Sequence, residues 1–323
     1  MTLALVTGGG GYVAGSLVPE LLRAGYRVRR LCRDPARVVP VPGAGDAVEI
    51  CVGDLTRAAD VERAAADVDV VFHLGGQTSV YVAEEKPEAD LAANVAPMLR
   101  LLEVCRASGR RPTLLFAGTA TEVGLTTRLP VDESFADAPI TVYDLHKLLA
   151  ERHLLHRARG GSVRGASLRL ANVYGPGPAS SRPDRGVLNT MVKRALSGER
   201  LLLYGRGEFV RDYVYVGDVA RAFVLAAQHP DAVNGRHFLV GSGRGTTLAE
   251  AVALVSRLVF ERTGRRAAVE QVPPPSGLSP IETRHFVADP RALFEATGFR
   301  ADTSLEEGLQ RTVAHFAAER SES

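Results

Sequence analysis

The feature that most constrains this chain is its opening. Residues 2–7, TLALVT, form a short apolar run that ends in four consecutive glycines, Gly8 to Gly11. An amphipathic pattern then runs from Tyr12 to about Ala24. A buried strand that turns through glycine straight into a helix is the first half of a parallel β-α-β unit. Gly8, Gly11 and Ala14 match a GxxGxxA spacing. Glycine permits the tight turn and lets a pyrophosphate approach the backbone, while the helix N-terminus offers unpaired N–H groups and a positive dipole end. Gly8, Gly10, Gly11, Tyr12 and Val13 are therefore candidate dinucleotide contacts. The competing reading is a glycine-rich turn with no ligand.

The remaining sequence extends this pattern. Val28–Leu31, Val48–Val52, Val68–Leu74, Leu114–Ala117 and Val163–Leu170 read as strands. Helical patterns cover about 87–107, with a kink or break expected at Pro97, and Tyr143 to Arg159. Such alternation predicts an α/β fold with a doubly wound parallel sheet. After Asn172 the texture changes. Residues 172–186 read as a long loop, helices are expected near 187–197, 217–228, 248–263 and 304–318, and Val272–Pro280 is a connector. The expected division is a dinucleotide-binding part, 1–173 and 214–242, and a smaller mixed α/β substrate lobe, 174–213 and 243–323.

Composition narrows the function classes. The chain has 323 residues, 46% hydrophobic and 24% charged, so it can bury a large core. Its 39 basic and 37 acidic residues leave a net charge of +2, without the basic stripe that nucleic acid demands. No apolar run suits a membrane span or a secretory signal. Cys32, Cys51 and Cys105 form no CxxC pair, which argues against a disulfide framework and a metal site. A cytoplasmic protein is expected.

The second strand would normally end in an acid that holds the adenosine ribose. Here that position is Cys32, followed by Arg33 and Arg37. A neutral residue removes repulsion toward a 2′-phosphate and arginine pairs with phosphate, which favours NADP(H), with NAD as the alternative. Asp54 and Leu55 follow the third strand and reach the adenine edge, unless Asp54 merely caps the helix starting near Thr56.

Tyr143 and Lys147 lie four residues apart and so on one helix face. A phenol with a pKa near 10 is a poor base at neutral pH, and a neighbouring ammonium favours its ionised form. Thr119, just past the strand Leu114–Ala117, places a hydroxyl for the same substrate oxygen.

Taken together, these motifs resemble the extended short-chain dehydrogenase/reductases, in their nucleotide-sugar epimerase, dehydratase and ketoreductase group. The resemblance rests on the TGGGGYVAG turn, Asp54-Leu55, HLGGQTSV at 73–80, Asn94, Thr119, Tyr143 with Lys147, NVYGPG from Asn172, and RDYVYV from Arg211. It implies a Rossmann-type sheet with Tyr143 as acid/base, Thr119 as its partner, and Lys147 as the residue that binds the nicotinamide ribose and sets the phenol pKa. It further implies cofactor contacts at Leu74, Gly75 and Gly76. Substrate contacts are implied at Thr78, Ser79, Thr119, Ala120, Thr121, Asn172, Val187, Leu188, Tyr204, Arg211 and Arg284. Asn172 and Arg211 would meet the substrate diphosphate, and the 178–190 loop would line the base pocket.

The chain also departs from the group. The sugar 4,6-dehydratases carry Asp-Glu after the threonine, whereas Ala120-Thr121 stands here, so dehydration is disfavoured. Glu122, one residue further, points elsewhere if the segment is extended. His73 is expected to be a satisfied strand-end histidine, and His146 to touch substrate or face the sheet. His153, His156 and Arg157 read as a solvated helix face, and Arg211 pairs with Asp212 or Asp218 or meets a phosphate. Helices at 90–107 and 141–159 suit a homodimer axis. The expected activity is hydride transfer at C4 of a nucleotide-linked hexose, with an NADPH-dependent 4-keto-sugar reductase slightly favoured. The alternatives are a 4-epimerase with tightly bound NAD+ and, more remotely, a non-enzymatic dinucleotide sensor.

Overall fold

The structure, a computed structural model, describes residues 2–178 and 186–321. The order of elements begins β1 (Leu3–Thr7), α1 (Tyr12–Arg23), β2 (Arg27–Cys32), β3 (Val48–Val52), α2 (Ala58–Ala65), β4 (Val70–His73), α3 (Val80–Glu85), α4 (Pro87–Asn94), α5 (Ala96–Ala107), β5 (Thr113–Thr119) and α6 (Val142–Arg159). It continues β6 (Arg164–Leu170), β7 (Asn172–Tyr174), α7 (Val187–Leu196), β8 (Leu201–Tyr204), β9 (Val210–Tyr215), α8 (Val216–Gln228), α9 (Pro230–Val233) and β10 (His237–Val240). The last elements are β11 (Gly245–Thr247), α10 (Leu248–Thr263), β12 (Val269–Val272), α11 (Arg291–Thr297) and α12 (Leu305–Ser321).

Seven strands form one parallel sheet in the order β10-β6-β5-β4-β1-β2-β3. The strand order reverses between β1 and β4, and at such a switch point the carboxyl ends of the strands open a crevice for a ligand. The sheet is sandwiched because its central strands are apolar on both faces. Leu5, Val71, Leu114 and Phe116 face α2, α5 and α6, while Ala4, Val6, Phe72 and Leu115 face α1 and α8. In α1 the buried residues Ala14, Leu17, Val18 and Leu21 recur at helical spacing. This architecture is the doubly wound sheet expected from the alternation.

The smaller C-terminal lobe carries a three-stranded sheet, β11-β9-β7, and the pair β12-β8. Its core joins Leu188, Met191 and Val192 of α7 to Val252 and Val255 of α10 and to Leu309 and Val313 of α12. Two details depart from the expectations. The break in the 87–107 helix falls at Val95, and Pro97 sits in the first turn of α5, where its missing N–H has no intrahelical partner to lose. Residues 172–174, expected in the long loop, form β7, which pairs with β9. Residues 179–185 of that loop lie outside the described residues.

Candidate functional site

The glycine turn lies at the carboxyl end of β1. Gly8 adopts φ +65°, and the Gly11 N–H returns to its carbonyl at 2.7 Å. Gly11 caps α1 without a side-chain hydrogen bond, so the first N–H groups of the helix are left for a ligand. A Cβ on Gly8 would meet the Gly75 Cα at 2.8 Å, and one on Gly75 would meet Leu55 Cδ1 at 2.3 Å. The turns after β1 and β4 therefore approach as closely as backbone can. The free N–H groups at the start of α1, beyond Gly11, suit a dinucleotide pyrophosphate. Gly75→Ala should push Leu55 or the first turn aside, at a cost of about 1–3 kcal/mol and with loss of retained nucleotide. A thermal melt and the nucleotide content of the purified variant would measure both.

Around the cradle, several expected cofactor side chains have local work. The Val13 side chain packs into the core, as does that of Leu74. The Tyr12 hydroxyl donates to the Gly175 carbonyl at 2.9 Å and accepts from Asn189, and burial pushes its pKa up. It ties the start of α1 to the lobe crossing. Asp54 Oδ1 accepts from the Thr56 N–H and hydroxyl, both at 2.8 Å, which holds its carboxyl below the usual range. Arg33 is exposed, and its charge acts on that same carboxylate. Gly76 is exposed beside the Asn94 amide.

Sequence reasoning passed over Arg30. This arginine is buried in β2, with Nε 2.9 Å from the Gly9 carbonyl and Nη1 2.9 Å from that of Val39. It underpins the glycine turn from below. The available signal was an arginine where β2 should be apolar.

The expected catalytic residues come from β5 and α6. Thr119 ends β5 and caps a single helical turn, Ala120–Val123. Its hydroxyl lies 2.8 Å from that of Thr121, which donates to Asp144 Oδ1 at 2.5 Å. Tyr143 occupies the first turn of α6 and packs against Val80, Ala83 and Ile281, at the junction with the C-terminal lobe. Lys147 is buried, with Nζ 2.6 Å from the Ala117 carbonyl and 3.9 Å from the centre of the Phe116 ring. Burial lowers its pKa from the usual 10.5 to about 8, against the opposing pull of Glu122, Asp90 and Glu151. Beneath it His73 is fully buried, with Nδ1 2.8 Å from the Thr7 hydroxyl and the ring stacked on Phe116. Burial and the Lys147 charge push His73 down to about 3, so it stays neutral.

Two expectations change here. Glu122 does point elsewhere, but because the segment is a helical turn rather than extended: its Oε1 accepts the Thr119 N–H at 2.9 Å. His146 turns toward α4 rather than the sheet. Its Nδ1 sits 2.7 Å from Asp90 Oδ2, joining α6 to α4.

Behind the Thr119 turn lies a buried charge cluster. Arg169 of β6 forks onto Glu151 at 2.6 and 3.0 Å, meets Asp137 at 2.6 Å, and lies 3.0 Å from Glu122. Arg169, Glu122 and Glu151 are essentially inaccessible to solvent.

On the lobe side, Arg211, Arg284 and Asn172 converge. The Arg211 guanidinium donates to the carbonyls of Arg284 and Glu282. That of Arg284 donates to the Ile281 carbonyl at 2.9 Å and to Asn172 Oδ1 at 3.0 Å. Arg211 forms no ion pair among the described residues. Asp212 is taken by Ser242, Gly243 and Ala288, and Asp218 by Arg221 and Thr303. Both guanidiniums are buried here, and such a planar donor fork can grip an anion bidentately.

The other expected substrate contacts divide by exposure. Thr78, Val187 and Tyr204 are exposed, whereas Leu188 and Ala120 are buried in apolar clusters. Ser79 is buried, and its hydroxyl caps α3 by accepting the Val82 N–H at 3.3 Å. Among the described residues, no group of His, Cys, Asp or Glu side chains suits a metal, and no helix is long and apolar enough to cross a membrane.

A parallel sheet with a glycine cradle at its switch point, beside a Thr/Tyr/Lys set, defines an enzyme of the extended short-chain dehydrogenase/reductase type. Residues 4–241 match the NAD dependent epimerase/dehydratase family, and the chain belongs to it. It is 31% identical to the structure of a Thermus thermophilus UDP-glucose 4-epimerase in complex with NAD, covering 98% of this chain and 99% of that one, with a TM-score of 0.82. A Thermotoga maritima UDP-glucose 4-epimerase solved with UDP-glucose is 30% identical over 99% of this chain and 100% of that one, with a TM-score of 0.87. A Mycolicibacterium smegmatis UDP-glucose 4-epimerase is 29% identical over 317 residues, 97% of each chain.

Proposed function

We propose that this protein is a 4-epimerase of a nucleotide-linked hexose, a UDP-hexose by its relatives, working with retained NAD. One observation carries the reading: UDP-glucose 4-epimerases match the chain end to end, through both the sheet and the substrate lobe. This moves the balance away from the reductase, which rested on Cys32 and Arg33. Arg33 is exposed, so it gives a 2′-phosphate no enclosed site.

When bound, the nicotinamide supplies reversible exchange of hydride with the sugar carbon. The residues of the chain do the rest. Tyr143 takes the proton of the 4-hydroxyl and returns it, Lys147 stabilises the phenolate, and Thr119 hydrogen-bonds the same oxygen. Arg211 and Arg284 hold the diphosphate while the sugar presents its other face. A homodimer across α4, α5 and α6 fits the exposed Leu91, Leu99, Leu145 and Leu149. Three free, buried cysteines suit a reducing compartment such as the cytoplasm.

Acid denaturation of the purified protein, followed by chromatography, should release close to one NAD+ per chain, and the protein should interconvert UDP-glucose and UDP-galactose without added cofactor. An empty or NADP-loaded protein that oxidises NADPH with a 4-keto sugar nucleotide would restore the reductase.

A further inference from the structure

The polar chain behind Thr119 has a direction. Asp144 is fully buried in the first turn of α6. Thr121 Oγ1 donates to Asp144 Oδ1, and this hydrogen bond uses the single hydroxyl proton of Thr121. The donor in the 2.8 Å contact between Thr119 and Thr121 must then be Thr119. The Thr121 N–H, 3.3 Å from Thr119 Oγ1, takes one lone pair of that oxygen and leaves the other. The Thr119 backbone is fixed as well, through its N–H on Glu122.

We propose that Thr121 and Asp144 are positioning residues that turn the Thr119 hydroxyl proton away from the sugar, so that the site receives the reacting oxygen as a hydroxyl rather than as a carbonyl. The inference rests on the epimerase reading for the identity of that oxygen. Thr119 then accepts a hydrogen bond from the 4-hydroxyl of the entering sugar. For oxidation the 4-hydroxyl must turn its one proton from Thr119 to Tyr143, which takes it as the hydride leaves C4 for NAD+, and the resulting carbonyl finds in Thr119 no donor without a rotation that breaks the chain to Thr121. A site built to accept from a hydroxyl rejects an analogue that cannot donate, because a buried acceptor is left unmatched.

The test is a pair of binding constants measured by calorimetry on the NAD-loaded protein, for UDP-glucose and for UDP-4-deoxy-4-fluoroglucose, whose fluorine cannot donate. Wild type should prefer the hydroxyl ligand by about tenfold or more. Thr121→Val keeps the shape but frees the Thr119 proton, and its preference should fall to about threefold or less. Thr121→Ser should keep the wild-type ratio. Asp144→Asn, no longer acceptor-only, should lower the ratio too and serves if Thr121→Val fails to fold. An unchanged ratio in Thr121→Val, or an equal drop in Thr121→Ser, overturns the inference. A wild type that shows the preference yet does not interconvert the C4 epimers sinks the epimerase reading instead and leaves the positioning role standing.

Discussion

Replacing Tyr143 with phenylalanine is expected to reduce kcat for epimerisation by about 10²–10⁴-fold, the usual worth of a positioned acid/base. The ring should stay in place, because Val80, Ala83 and Ile281 pack on carbon atoms that both residues share. The KM for the sugar nucleotide should therefore change little, since the phenol acts on the proton in flight rather than on the diphosphate. The wild type should also report on Lys147. Its ammonium is lost near pH 8 instead of the usual 10.5, so support for the phenolate fades and kcat/KM should decline as pH rises through about 8. A kcat for Tyr143→Phe within a few-fold of wild type would remove Tyr143 from the chemistry.

The largest loss of stability is expected at Arg169→Met. The substitution leaves Glu151, Glu122 and Asp137 around a site that has lost its one shared cation. Removing one partner of a buried ion pair costs about 3–5 kcal/mol, a large part of the roughly 5–15 kcal/mol that holds a typical protein folded. Denaturant unfolding should show the midpoint shift at an unchanged slope. The damage should also reach the active site, because Glu122 anchors the Thr119 N–H. A change below about 1 kcal/mol would mean that the carboxylates protonate or find water without cost.

The parallel sheet was legible because its central strands are buried on both faces and read as apolar runs, and the glycine turn was legible because only glycine tolerates such backbone approach. The shortest strands of the lobe were not. β7 and β11 have three residues each, too few to show a period, and pairing from distant sequence decides them. Tyr143, Lys147 and Thr119 stood out by spacing and order alone. Arg169, Glu122, Asp90 and Asp144 did not, since each reads as an ordinary polar residue until the fold surrounds it. Asp90 meets His146 from 56 positions away, and Arg211 meets Glu282 from 71, separations across which no local pattern carries information. Arg33, on which the preference for NADP(H) leaned, stands in solvent, an exposure that its neighbours in sequence do not reveal.

The edge strand β10 carries one further consequence, for synthesis. It pairs with β6 only after the chain has detoured through β7, α7, β8, β9, α8 and α9. While the ribosome is still translating that detour, β6 presents an open, unpaired rim, and the apolar side chains that Phe238 and Val240 will cover remain wet. A nascent chain arrested short of His237 should therefore be a substrate for chaperones rather than a finished half-molecule, and its exposed β6 rim is where misassembly with another growing copy would begin.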